Sequence, residues 1–199
     1  MGVPPYFCLT MSSGAVAVSP SVVFKRATVR ETAVLLVLAW LVPFLVHLVP
    51  WAGVRPLGAH LLPLFWAGFA AVYLFGLRTG LLVGLFAPAL NLALTGLPAL
   101  SRLAMLGFEI TVFVALVWWL VRRGRTAWYL APLAYVAAKV AGTLLLFVAG
   151  AAPATAWLAV PASLLAAGPG LAVLAGLSLV LARLYPRSAG VRADDAAGV

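Results

Sequence analysis

The sequence is poor in charged residues, which make up 9% of its 199 residues, whereas 65% are hydrophobic. A soluble domain carries about 25% charged residues, because its surface must stay hydrated. This chain lacks the charged side chains that would cover such a surface. The composition therefore excludes a soluble globular domain and predicts an integral protein of the lipid bilayer.

Acidic residues are the scarcest charged type, since Glu31, Glu109, Asp194 and Asp195 are the only four. An intramembrane hydrolase or lipid-transferring enzyme needs acid–base or metal-binding groups, and neither an H-E-x-x-H nor a G-x-S-x-G motif is present. A nucleotide-binding P-loop is also missing. We therefore expect no enzymatic activity, no catalytic residue and no cofactor, and ATP-driven transport would need partner subunits.

Cysteine is nearly absent as well. The single Cys8 excludes an internal disulfide and a cysteine-built metal site, and no metal ligand set is expected. Residues 1–23 carry no basic n-region, and the first long apolar run, which follows Lys25, Arg26 and Arg30, has no A-x-A site, so no cleavable signal is expected. Met11 offers an alternative start to Met1.

Basic residues dominate the charge, and the formal net charge is +9. They stand at the ends of apolar segments and form no continuous stripe of the kind that follows nucleic-acid phosphates, so no nucleic-acid partner is expected. With a cytoplasmic N-terminus, ten Lys and Arg residues face inward and two, Arg55 and Arg102, face outward. This asymmetry follows the positive-inside rule and predicts that both termini are cytoplasmic.

Six apolar segments approach the roughly 20 residues that a transmembrane helix needs. They are Thr32–Val49, Leu57–Gly76, Leu81–Leu97, Leu103–Val121, Tyr129–Gly150 and Leu158–Ala182. Short connections favour antiparallel neighbours in one bundle. We predict an all-α bundle of six transmembrane helices over residues 31–184, between a flexible N-terminal tail (1–30) and a polar C-terminal tail (185–199).

Two spans carry helix-breaking residues. Pro88 and Asn91 predict that the third span is short and either little tilted or irregular. Gly168-Pro169-Gly170 interrupts the sixth span, which fits either a simple kink or a discontinuous helix that lines a binding site. Small residues are dense in the second and sixth spans, where they favour close packing within the chain or docking to a partner membrane subunit.

Two full charges lie inside apolar spans. Glu109 is about 9 Å deep from the outer side, and Lys139 is about 15 Å deep from the inner side, at 1.5 Å per helical residue. A charge near the bilayer centre costs roughly 2.5 to 3.5 kcal/mol on insertion scales, so it normally faces a bundle interior, a partner or a ligand. Either the two residues pair with each other, or they bind a ligand.

Polar and aromatic residues recur at intervals of three or four in four spans, so each set shares one helix face. The sets are Trp40-Pro43-His47-Trp51, Pro88-Asn91-Thr95, Arg102-Met105-Glu109 and Tyr135-Lys139-Thr143. His60 opens the second span on the same outer side. The stripes predict an outward-facing pocket for a small polar solute, although His47 and His60 also fit inert interfacial positions. The candidate substrate-binding residues are Glu109, Lys139, Asn91, His47, Tyr135, Thr95, His60, Trp51, Arg102 and Thr143.

Residues 58–125 contain a series of motifs that resemble a known family. They are a G-x-H-x-x-P opening (Gly58, His60, Pro63), an L-x-x-G-L-x-x-P run (Leu81, Gly84, Leu85, Pro88), a T-G-x-P turn (Thr95, Gly96, Pro98) and the Glu of the following span, Glu109. This stretch resembles the substrate-binding S components of energy-coupling factor (ECF) vitamin transporters. It covers about a third of the chain, and the size and six-span layout extend the resemblance to the rest.

The resemblance implies a bacterial plasma-membrane subunit that captures a small water-soluble vitamin or related micronutrient from outside. It would work with a membrane T component and two cytoplasmic ATPase subunits, and the outer loop Pro50–Ala59 would close over the ligand. One feature departs from the family: its A-x-x-x-A docking pattern is missing from the first span, where Ala33 and Ala39 are six apart. The alternatives are an assembly protein that binds no solute and a solitary ion-coupled carrier in which Glu109 titrates.

Overall fold

The computed structural model describes residues 26–50, 52–53, 57–96, 98–124, 127–151 and 153–186. Trp51, most of both predicted tails and part of the outer loop lie outside these ranges. The described residues form helices and no strand, which confirms the all-α prediction. The elements are α1 (Val29–Leu48), α2 (Leu57–Leu61), α3 (Pro63–Phe75), α4 (Leu77–Thr95), α5 (Leu100–Arg122), α6 (Leu130–Val148), a 3₁₀ helix (Ala154–Leu158), α7 (Ala159–Ala166) and α8 (Gly168–Leu184).

The described helices include five segments that are long and apolar enough to cross a membrane, and α2 and α3 together make one of them. A sixth is present if residues 155–166 and α8, which are bent by 59° at their junction, are taken as one span. The chain is therefore built as a multi-pass membrane protein. The count of six and the cytoplasmic location of both termini stay predictions.

Helix α1 begins three residues before the predicted span. Thr28 caps it, because the Thr28 side chain accepts a hydrogen bond from the Glu31 backbone nitrogen while the Glu31 side chain accepts one from the Thr28 backbone nitrogen. This reciprocal capping box satisfies two backbone donors that the helix would otherwise leave open. The T-x-x-E pattern at 28–31 was visible in the sequence and marks the start better than apolar length does.

Helix α4 excludes the irregular alternative for the third span and begins four residues before the predicted Leu81. It runs without a break from Leu77 to Thr95, with Pro88 buried inside it. It begins directly after Gly76, whose φ of 85° turns the chain sharply out of α3. Close packing then holds α4 in place: a Cβ at Gly80 would lie 2.6 Å from Val72 Cβ, and one at Gly84 would lie 2.6 Å from Ile110 Cγ2.

The apolar core lies mainly between α3, α5, α6 and α8, where large side chains such as Phe69, Phe113 and Leu174 are fully buried. A smaller cluster joins α1 to α3 and α4 through small side chains, Ala39, Ala71, Val83 and Ala87. The small residues of the second span thus serve packing within the chain. Because Ala39 is buried in this cluster, it cannot form a docking surface on the outside of α1.

Two helix breaks face each other near one end of the bundle. The first is at Leu62, which adopts a left-handed conformation (φ 56°) before Pro63, and the sequence analysis missed it. The second, between α7 and α8, is the interruption expected from Gly168-Pro169-Gly170. His60 Nδ1 donates a hydrogen bond to the Ala166 carbonyl at 2.6 Å, since a carbonyl can only accept. The two breaks are therefore held against each other, α2 beside the start of α8.

Gly170 is predicted to be essential to this contact. A Cβ there would lie 2.7 Å from the His60 carbonyl oxygen and 2.8 Å from the Leu61 carbonyl carbon, and backbone atoms cannot turn aside. We expect Gly170→Ala to destabilise the protein by about 1 to 3 kcal/mol through overpacking. The measurement is unfolding in detergent, with Gly176→Ala on the same helix as the control.

A Cβ at Gly176 meets no atom within 4 Å, so the added helix propensity should leave stability unchanged or raise it by up to about 1 kcal/mol. Equal effects of the two substitutions would contradict the assigned contact between the two breaks.

Candidate functional site

A cavity of about 1110 Å³ lies at the end of the bundle where the chain passes from α4 to α5, since Pro98 and Ala99 of that connection line it. Helices α1 to α7 all contribute to its wall. Its volume lies slightly above the roughly 300 to 1000 Å³ that small-molecule sites occupy. Among the ten candidate residues, the following six line it: Asn91, Arg102, Glu109, Tyr135, Lys139 and Thr143.

The two intramembrane charges meet in this cavity. Lys139 Nζ lies 2.9 Å from Glu109 Oε1, and the side chains keep 29% and 9% of their surface exposed. Two ions in an apolar bundle each carry a large desolvation cost, which their mutual attraction offsets only at such short range. Of the two alternatives expected from the sequence, the structure therefore adopts the one in which Glu109 and Lys139 pair with each other. One Glu109 oxygen and two Lys139 protons are left over for other contacts, because the ammonium has three donors.

Gly142 makes room for Glu109 between α5 and α6. A Cβ at position 142 would lie 3.0 Å from Glu109 Oε1 and 3.1 Å from its Cγ, and would overlap the methyl group of Met105. The carboxylate therefore rests against the backbone of α6, three residues beyond Lys139 on that helix. The sequence signal for this arrangement is a glycine three residues after Lys139, on the same side of α6.

Asn91 is the most buried polar residue of the cavity wall, with 2% of its surface exposed. Thr95 Oγ1 donates to the Asn91 backbone carbonyl at 2.7 Å and lies 3.5 Å from its side-chain oxygen. The Asn91 side-chain nitrogen makes no hydrogen bond with any other residue in the described ranges. Thr95 does not line the cavity itself, so it acts on Asn91 through the last turn of α4.

Tyr135 forms an aromatic wall with its neighbours. It is 5% exposed, and its ring meets the ring of Phe65 edge to face at 5.0 Å, while Phe65 meets Phe113 in the same manner at 5.2 Å. Such edge-to-face contacts fix ring orientation as well as burying area. Thr143, one turn beyond Lys139, donates its hydroxyl to the Lys139 carbonyl at 3.0 Å. Its polar group is thus occupied within α6.

Three of the candidate residues have other outcomes. His60 does not line the cavity and bonds the Ala166 carbonyl, which assigns it to the contact between the two helix breaks. The backbone of His47 belongs to α1, but its side chain lies outside what the structure describes, as does the whole of Trp51. Sequence reasoning missed Phe65 and Leu106 in the wall, because an apolar residue in an apolar helix carries no distinguishing signal.

A scan against protein-family models and searches of curated proteins and of solved structures found no match to this chain. The resemblance of residues 58–125 to ECF S components therefore stays a prediction.

The geometry suits the binding of a small molecule. Its polar groups are one neutralised ion pair, an amide, a phenol, the Arg102 guanidinium and the hydroxyls of Thr143 and Ser163, set in mostly apolar walls. Such a few convergent polar groups in an apolar concavity are typical of small-molecule sites. In the part of the chain that the structure describes, no three His, Cys, Asp or Glu residues come together as a metal site would require.

The ion pair should show strong energetic coupling. Lys139→Met leaves the Glu109 carboxylate buried beside Gly142 without its partner, and we expect a loss of about 3 kcal/mol, the low end for buried pairs because Lys139 is partly exposed. The double variant Glu109→Gln/Lys139→Met should regain most of this loss. Unfolding in mixed detergent micelles and the resulting double-mutant cycle measure the coupling.

Arg78→Met is the matched control, because Arg78 is an exposed base on α4 that does not line the cavity. If Lys139→Met were no more destabilising than Arg78→Met, the pair would contribute nothing to folding.

Proposed function

We propose that this chain captures a small water-soluble solute in the cavity between its helices. The observation that carries the proposal is Asn91, which is 2% exposed, lines the cavity and makes no hydrogen bond through its side-chain nitrogen with another described residue. This nitrogen is not among the fully buried unpaired side-chain atoms of the described residues, so it is open to the cavity. A ligand that accepts from this amide would make a hydrogen bond that the described residues do not supply, and the Glu109–Lys139 pair in the same wall offers further contacts.

The proposed biological role is that of a substrate-capturing membrane subunit of an ECF-type importer for a vitamin or related micronutrient. The motif resemblance supports it, since the resembling stretch supplies Gly58, Asn91, Pro98, Arg102 and Glu109 to the cavity wall. In this proposal six spans place both termini in the cytoplasm of a bacterial cell. A membrane T component and two ATPase subunits would supply the energy, as the chain itself carries no nucleotide-binding motif.

An assembly protein without a solute is the second candidate, and one observation favours it. The Glu109–Lys139 pair is already closed at 2.9 Å, which is what a purely structural contact between α5 and α6 would need. That reading accounts for the two charges. It gives no reason for a cavity of about 1110 Å³ beside them or for the open amide of Asn91.

Substitution of Asn91 tests the capture role. Purified protein should carry or bind a small solute detectable by native mass spectrometry, and Asn91→Leu, which keeps the side-chain volume, should weaken retention about tenfold through the lost hydrogen bond. Thr111→Val is the matched control, because the Thr111 hydroxyl bonds the Gly107 carbonyl at 2.8 Å and lies outside the cavity wall. A protein that retains no small molecule in either form would favour the assembly role.

Energy coupling distinguishes the importer from a solitary carrier. We expect uptake of the retained solute only when T-component and ATPase partners are present, and its loss when ATP hydrolysis is blocked. Uptake into proteoliposomes with and without the partners is the measurement. Persistent uptake by this chain alone, driven by an ion gradient and lost in Glu109→Gln, would instead support the solitary carrier.

A further inference from the structure

The charges that line the cavity do not cancel. Glu109 and Lys139 neutralise each other at 2.9 Å, whereas the Arg102 side chain makes no hydrogen bond or ion pair with another residue that the structure describes. The wall as a whole therefore carries one uncompensated positive charge. Arg102 is exposed, so solvent screens its charge in part, but a single sign of charge at the rim of a cleft with apolar walls still selects among solutes by their own charge.

The unpaired charge and the ion pair lie at different depths. Arg102 stands in the first turn of α5, next to Pro98 and Ala99 at the end of the cavity, and Glu109 follows seven residues later on the same helix. At 1.5 Å per residue they are separated by about 10 Å along the helix axis. Because Arg102 is exposed and Glu109 is only 7% exposed, the end of the cavity at Arg102 is its mouth, which is positively charged, and the interior at the ion pair is electrically neutral.

The interior favours an uncharged group that accepts hydrogen bonds. The Tyr135 hydroxyl and the remaining protons of Lys139 are donors in this part of the wall, and no described residue other than Glu109 accepts a hydrogen bond from them. A second carboxylate there would face the charge of Glu109 across a short distance in an apolar setting. An ammonium group there would meet Lys139 in the same way. Asn91 lies nearer Arg102, because Gly84 packs on Ile110 and Gly107 packs on Leu85, and this antiparallel register sets Asn91 level with Arg102.

We propose that the solute is an elongated monocarboxylate whose carboxylate pairs with Arg102, near the level of Asn91, and whose uncharged, acceptor-bearing end reaches the Lys139 and Tyr135 groups about 10 Å deeper. The inference rests on the proposed capture function and specifies the chemical class of the solute. A guanidinium presents a planar fork of donors that fits both oxygens of a carboxylate. Cations are disfavoured at the mouth by Arg102, and dianions are disfavoured in the interior by Glu109.

A defined pool of solutes tests this class. Protein purified in non-ionic detergent, without anionic lipid that could supply phosphate to Arg102, is incubated with monocarboxylates, dicarboxylates, amines, zwitterions and the primary amides of the same monocarboxylates. Compounds that remain bound after gel filtration are identified by mass spectrometry. We expect monocarboxylates to be retained at least about tenfold over their own amides, the effect of one charge-assisted hydrogen bond.

Variants of Arg102 assign that preference to one side chain. Arg102→Gln should abolish the preference for acids over amides while amide binding stays, and Arg102→Lys should keep part of it because the charge remains but the planar fork is lost. Arg78→Gln, an exposed arginine outside the cavity wall, should behave as the wild type. If Arg102→Gln does not fold, the test compares the acid-to-amide retention ratio of the wild type with that of Arg102→Lys. A lower ratio in Arg102→Lys supports the inference, and an equal ratio overturns it.

The outcomes separate this inference from the capture function. Retention of amines, zwitterions or amides in preference to acids, or an acid preference that survives in Arg102→Gln, overturns the monocarboxylate class and leaves solute capture standing. If no compound of the pool is retained but a molecule co-purifies with the protein, a monocarboxylate supports the inference, and a molecule of another charge class overturns it. No retention from the pool together with no co-purifying molecule overturns both.

Discussion

An ion pair inside an apolar bundle constrains the helices around it. Neither Glu109 nor Lys139 can be placed in the bilayer alone at tolerable cost, so α5 and α6 must bring them within contact distance. The close approach requires a residue without a side chain on α6, and Gly142 meets that need. The pairing of these two helices, their register and the position of the deeper cavity wall all follow from this one contact.

The remaining shape of the cavity follows from two broken helices. If the second and sixth spans were continuous helices, these helices would occupy the end of the bundle where the cavity lies. Instead, Leu62 turns the chain between α2 and α3, a 59° bend separates residues 155–166 from α8, and the His60–Ala166 hydrogen bond ties one break to the other. The short outer pieces then lie beside the cavity, where Gly58 and Ser163 line it. Close packing at Gly170 thus helps to keep the space open.

Apolar length and positive-charge distribution were enough to predict an all-helical membrane protein, because lipid imposes the same requirement on every span. The helical spacing of Asn91, Arg102, Glu109, Tyr135 and Lys139 was enough to predict that they share one cavity. The depth of Glu109 in the bilayer, about 9 Å, stays a prediction. The structure adds that α5 begins at Leu100, three residues before the predicted span, so Glu109 lies about 13.5 Å from the start of its helix at 1.5 Å per residue.

Other features could not be predicted because they depend on contacts between distant segments. Nothing local distinguishes Phe65 from other aromatic residues of its span, and its role in the wall comes from its packing on Tyr135 and Phe113. His60 was a candidate ligand-binding residue because it opens the second span on the predicted side of the other polar groups and belongs to the G-x-H-x-x-P motif. Only the fold shows that the start of α8 lies beside it and that its donor is directed to a backbone carbonyl.

Neutralisation within the pair also determines what charge the cavity can accept. If Lys139 had no partner, the interior would attract anions and the mouth would add a second positive charge at Arg102. Because Glu109 occupies Lys139, the interior presents hydrogen-bond donors with no net charge, and only the mouth keeps a positive one. The same contact that makes the two charges tolerable in lipid therefore separates the charge-selecting part of the site from its hydrogen-bonding part, about 10 Å apart along α5.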